Sequence, residues 1–145
     1  MATYSTPMEL SPEDINNQVA EVFPATVGSG LSCVEAGNGY AIARLAHDPV
    51  NVRPGGIVPG PSIFGLADAA LWYAVFTRAG REAMAVTSDM TAHVLRPAVG
   101  ACLLAKCTLS KAGKRLAHAE IRIWEEHDDP DRLVAFASGA YALTD

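Results

Sequence analysis

Residues 61–80 read PSIFGLADAALWYAVFTRAG, an almost wholly apolar segment interrupted by one carboxylate, Asp68. On a helix, the residues three and four positions from Asp68 share its face, and here they are Phe64, Gly65, Leu71 and Trp72. None can pair with a charge. A helix apolar on all sides is normally buried, so Ile63, Phe64, Leu66, Leu71, Trp72, Val75 and Phe76 predict a central core helix. Asp68 is then buried or lines a cleft. Burying a carboxylate is costly unless it is hydrogen-bonded or its pKa rises. Either a neighbouring hydroxyl or backbone group satisfies Asp68, or the carboxylate is kept for chemistry.

Outward from this segment, Gly60-Pro61-Ser62 starts the helix, with Pro61 in the first turn where its missing N–H costs nothing. Gly80, after Arg78, is the expected C-cap. The preceding loop, DPVNVRPGGIVPG at residues 48–60, is crowded with Pro and Gly and exposes backbone amides. Before it, two strand-like runs within residues 31–47 flank Gly37-Asn38-Gly39, a hairpin signal because Asn and Gly tolerate positive φ. At the start, Ser11-Pro12-Glu13-Asp14 reads as N-cap, first-turn Pro and acids at the positive end of a helix dipole. Ile15, Val19, Val22 and Phe23 form its apolar stripe, and Pro24 stops it.

Downstream everything reads as strand. Residues 85–96 alternate, with Thr87, Asp89, Thr91 and His93 on one face and Val86, Ser88, Met90, Ala92 and Val94 on the other. The row containing Met90 is expected to meet the helix. Leu103, Ala105, Cys107 and Leu109 oppose Lys106, Thr108 and Ser110; after a turn at Ala112-Gly113-Lys114, Ala117, Ala119, Ile121 and Ile123 alternate with polar neighbours. A turn at residues 128–131 leads to the last strand, within residues 133–143. Consecutive hairpins favour an antiparallel sheet with one face for the helix, an α+β architecture over a single domain, residues 1–145, with a helical segment at 1–24.

Composition narrows the function classes. Half of the 145 residues are hydrophobic and 19% charged, which fits a globular protein, and the net charge of -5 gives no support to nucleic-acid binding. MATYSTPMEL lacks a basic flank and a long apolar run, so a signal peptide is not expected; no stretch is apolar for long enough to span a bilayer, and a cytoplasmic location follows as the expectation. Cys33, Cys102 and Cys107 have no metal-ligand spacing and read as reduced core or strand residues, the only basic sequence neighbour being Lys106 beside Cys107. His47, His93, His118 and His127 are scattered, and no metal or cofactor is expected.

From Asn51 onward the sequence carries a resemblance. VPGPSIFGLADAALWYAV followed by AVTSDMTAHVLRPAVG resembles the hotdog-fold acyl-CoA thioesterases of the phenylacetate-degradation (PaaI-like) type. In that family an HGG-type turn opens the central helix, an acid follows two turns later, and a VTxDM…RPA strand comes next. The resemblance implies a sheet wrapped around one long helix, with Gly60 on the first Gly of the turn, Asp68 on the catalytic acid and Thr87 on an active-site Ser or Thr. It also matches Arg96-Pro97-Ala98 to the strand end and Asn51 to a polar residue of the preceding loop. The sequence departs from the pattern at Pro59, where many members have His, and at Pro61, where they have the second Gly; with Arg96, these two are expected to contact substrate.

The implied reaction is hydrolysis of an acyl-CoA to the free acid and coenzyme A. The Gly60 amide at the helix N-terminus can serve as the oxyanion donor, and Asp68 as base or nucleophile. Eight residues at about 1.5 Å rise put Gly60 and Asp68 roughly 12 Å apart along the helix, too far to grip one carbonyl together. A second subunit resolves this, in keeping with the dimeric sites of the family, so a homodimer or homotetramer is expected, with Asn51 and Gly60 from one protomer and Asp68 and Thr87 from its partner. Arg53, Arg96, Lys106, Lys111, Lys114 and Arg115 are candidate partners for the coenzyme A phosphates. Two other functions fit the same fold: a non-catalytic acyl-CoA binder, given Pro59, and a hydratase or dehydratase, which would need a His beside the acid.

Overall fold

The computed structural model describes residues 10–79 and 85–143. Helix α1 (Pro12–Val22) opens with a capping box: Ser11 Oγ accepts from the Asp14 amide while the Asp14 carboxylate accepts from the Ser11 amide. Strands β1 (Leu31–Gly37) and β2 (Tyr40–Leu45) form the expected hairpin, with Gly39 at φ 81° in its turn. Helix α2 (Gly60–Ala79) follows the long loop, and then come β3 (Val86–Val94), β4 (Leu103–Ala112), β5 (Leu116–Glu125) and β6 (Ala135–Ala142). Gly80, the expected C-cap, lies outside the described residues.

The six strands form one antiparallel sheet in the order β1-β2-β4-β5-β6-β3, and α2 packs against every strand. This is the hotdog arrangement. The side chains that let the sheet close around the helix are small: Ala41, Ala43, Ala105, Ala117, Ala119, Ala135 and Ala137 line the concave face, and Ala67, Ala70 and Ala74 are buried on α2. Bulkier Leu66, Leu71, Phe76, Leu103, Ile121 and Ile123 fill what remains. Bulges in β1, β3 and β4 add local bend and twist to the curl. Thr77, buried at the far end of α2, donates to Ala74 O and accepts from the Gly39 amide at 3.0 Å, which ties the helix to the first hairpin. No helix among the described residues is long and apolar enough to cross a membrane.

Three expectations change. Phe64 is 42% exposed, so the first turns of α2 are not buried all round as the apolar run suggests. Ile15 and Val19 are buried, but Val22 and Phe23 are exposed at the end of α1. The third change concerns β3. Thr87 pairs with Tyr141 and Asp89 with Ala140, so Ser88 is an extra residue in the ladder. An extra residue inverts the alternation, which puts Thr87 on the same face as Met90 and Ala92 instead of the opposite one. Met90 and Ala92 pack against the core as expected, whereas Val86 and Val94 of the same sequence row are exposed.

Gly139, opposite Met90, is what allows the chain to close beside the bulge. A Cβ there would lie 2.7 Å from Asp89 O and 3.2 Å from Met90 Cα, both backbone atoms that cannot step aside. Gly139→Ala is expected to lose about 1–3 kcal/mol of stability, read as a lowered midpoint in urea unfolding. An unchanged midpoint would show that β3 carries no such close approach.

Candidate active site

Asp68 is half-buried on α2 and lines an open cavity of about 390 Å³ with Val22, Phe23, Trp72, Ala85, Val86, Thr87 and Tyr141. The carboxylate is not left to the apolar neighbours on its own helix. Thr87 Oγ1 donates to Asp68 Oδ1 at 2.6 Å, and Tyr141 Oη donates to the same oxygen at 3.1 Å while lying 3.3 Å from the Asp68 carbonyl. Thr87 and Tyr141 are cross-strand partners on β3 and β6, so the two hydroxyls arrive side by side. The bulge at Ser88 is the device that turns Thr87 inward to meet Tyr141. Burial first, and then the charge of Asp68, raise the Tyr141 phenol above its ordinary pKa, so it stays protonated as a donor.

Tyr141 was not singled out from the sequence. The signal was present in the last strand, where Ala135, Ala137, Gly139 and Tyr141 form one inward row that ends on a polar tip facing the helix.

Gly60 lies elsewhere, on a second cavity of about 400 Å³ lined also by Arg53, Ile57, Val58, Ile63, Val94, Leu95, Arg96, Pro97 and Ala98. The two cavities share no residue. Pro59 supplies the carbonyl for the first helical bond, from the Ile63 amide, and for a tighter one from Ser62. Pro61 has no N–H, and the Gly60 N–H has no hydrogen-bond partner among the described residues; it is the free amide of the first turn. The preceding loop is pinned to the segment after β3 by the Val58 amide on Ala98 O and by a bridge from Ile57 to Val99, and is closed on itself by a bridge from Ile57 to Arg53. Asn51 Nδ2 donates to Ser62 Oγ at 3.3 Å, which places Asn51 at the same end of α2 as Gly60. His47, distant in sequence from the helix, joins Asn51 and Ser62 around a small cavity of about 50 Å³.

The cations separate by engagement. Arg96 pairs with Glu125 at 3.1 Å and Asp128 at 3.6 Å and donates to Arg132 O, so its charge is neutralised locally. Arg53 on the same cavity is exposed and has no ion-pair partner among the described residues. Lys106 lies over the Tyr40 ring, on the side of β4 opposite buried Cys107. Burial pushes the Cys107 thiol up, and the Cys33 thiol to about 12, so neither is a nucleophile at neutral pH. The thiol beside a cation is instead Cys102, which accepts from Arg44 Nη2 at 3.1 Å. Among the described residues, no group of three His, Cys, Asp or Glu could hold a metal ion.

Comparison with known proteins agrees with the fold. The family model for the thioesterase superfamily matches residues 55–130, a span that holds both Gly60 and Asp68. The chain belongs to the thioesterase superfamily. A candidate thioesterase of Silicibacter sp. TM1040 is 31% identical over 95% of this chain and 94% of its own, with a TM-score of 0.85. The PaaI protein from the phenylacetic acid degradation operon of E. coli shares the fold at 22% identity, over 90% of this chain and 95% of its own, with a TM-score of 0.73. A thioesterase of Haemophilus influenzae also shares it at 18% identity, over 100% of this chain and 96% of its own, with a TM-score of 0.78. No curated protein matches the chain in sequence. Thioester hydrolysis is the activity of the superfamily.

If the Thr87 hydroxyl orients the carboxylate, its loss should cost activity while the hydroxyl alone should suffice. Thr87→Val is expected to lower kcat for thioester hydrolysis by roughly tenfold or more, and Thr87→Ser to keep most of it. Equal rates in the two variants would leave Thr87 with a packing role.

Proposed function

We propose that this thioesterase hydrolyses acyl-CoA, with Asp68 as the group that attacks or activates water and the Gly60 N–H as the donor to the developing oxyanion. The observation that carries this is the state of Asp68: a carboxylate on an apolar helix, held through one oxygen by two hydroxyls, with the other oxygen unbonded among the described residues and a cavity beside it.

In the chemistry, the thioester carbonyl oxygen receives the Gly60 N–H as it becomes anionic, a donor typically worth roughly a hundred- to thousandfold in rate. Asp68 acting as base takes a proton from water, whose oxygen bonds to the carbonyl carbon. The C–S bond then breaks and the coenzyme A thiolate takes up that proton. Acting as nucleophile, Asp68 displaces the thiolate itself, and water cleaves the mixed anhydride to restore the carboxylate. Both courses end in free acid and coenzyme A.

Because Gly60 and Asp68 stand roughly 12 Å apart on one rigid helix, the complete site takes its two halves from two copies of the chain. The edge strand β3, with exposed Val86 and Val94, and the exposed Phe64 of α2 are the surfaces that would meet, joining two sheets edge to edge. Asn51 sits at the Gly60 half, and Pro59 and Pro61 shape the turn there. Of the two arginines on that cavity, the unpaired Arg53 suits the coenzyme A phosphates, while Arg96 serves as wall. The protein would work in the cytoplasm, where acyl-CoA is found.

The test is hydrolysis across a panel of acyl-CoAs by the parent and by Asp68→Asn. The Asn side chain keeps shape and some hydrogen bonding but is neither base nor nucleophile at neutral pH. On the best substrate, kcat/KM is expected to fall by roughly a hundredfold or more, with the melting temperature equal or higher. Parental turnover by Asp68→Asn would end the assignment, and tight binding of acyl-CoA without turnover by the parent would make the protein a binder.

A further inference from the structure

Both hydrogen bonds to the Asp68 carboxylate end on the same atom. Thr87 Oγ1 reaches Oδ1 at 2.6 Å from β3, Tyr141 Oη reaches it at 3.1 Å from β6, and Oδ2 accepts none among the described residues. A free carboxylate can turn about its last side-chain bond and present either oxygen, because that torsion is broad and two-fold. Two donors on neighbouring strands remove that freedom. The phenol is also held against the helix backbone, 3.3 Å from Asp68 O, so its position is set by β6 and α2 together.

We infer that Tyr141 is a positioning residue of the reaction, which with Thr87 pins Oδ1 of Asp68 and commits Oδ2 to the chemistry. This rests on the function proposed above. It deepens that function by naming the atom that acts and a residue that makes it act. Only Oδ2 has a lone pair free to take a proton from water or to bond to the carbonyl carbon. In the second course Oδ1 becomes the carbonyl oxygen of the enzyme's half of the anhydride, where the same two hydroxyls polarise it for attack by water. The role acts through Asp68: Tyr141 need not touch the substrate, and its hydroxyl contributes to rate by holding a geometry already made before substrate arrives.

The variant is Tyr141→Phe, which keeps the ring and removes only the oxygen, assayed in the parent and in an Asp68→Asn background together with melting curves. In the parent, kcat is expected to fall roughly tenfold with KM nearly unchanged, on the scale of one lost charge-assisted hydrogen bond, and the melting transition to stay close to the parent's. In Asp68→Asn, adding Tyr141→Phe should change the residual rate no further, since the group it positions is already gone. A parental kcat in Tyr141→Phe overturns the role, as does an equal fractional loss in both backgrounds or a lost melting transition, either of which marks a structural tyrosine. An inactive Asp68→Asn beside a fully active Tyr141→Phe overturns the role of Tyr141 alone. Parental hydrolysis by Asp68→Asn overturns the proposed function and this role with it.

Discussion

A single buried helix sets the terms for everything else in this molecule. α2 runs from Gly60 to Ala79 as one regular helix, touches every strand, and beyond its first turns buries most of its apolar side chains against the curled sheet. Its free N-terminal amide and its one carboxylate are therefore a fixed distance apart, roughly 12 Å, and no loop motion can bring them together. The separation into two cavities with no common residue follows directly.

The sheet, in turn, is built to tolerate a charge on that helix. Alanines on the concave face bring β6 close enough for the Tyr141 hydroxyl to reach Asp68, and the bulge at Ser88 rotates Thr87 to the same side. Gly139 admits the backbone of the bulged strand at a distance that no side chain would allow. Desolvation alone would make the carboxylate expensive to keep. Two hydroxyls offset that cost through one oxygen.

Much of this was legible in the sequence, and what was not has identifiable causes. The apolar run around Asp68, the Gly-Asn-Gly turn and the period-two strands were enough to order the elements, and the GPSIFGLAD and VTSDM stretches were enough to point to the family. The face assignment of Thr87 from alternation was wrong because a bulge is invisible to a period-two count. Arg96 reads as a free cation in sequence, and only the fold brings Glu125 and Asp128 to it. Tyr141 lies 73 residues from Asp68, a pairing that only the β3-β6 ladder creates. Phe64 reads as core from its neighbours, yet the described chain leaves it exposed near the first turn of α2.

That exposed ring, the edge of β3 and the split between the two cavities support the proposal that the chain carries two half-sites and that a working site takes a second copy. The most direct measurement is gel filtration with in-line light scattering, each fraction assayed for acyl-CoA hydrolysis at low protein concentration. Activity is expected to coincide with a mass of at least two chains and to vanish from any fraction of single-chain mass. Turnover by a stable monomer would contradict the account.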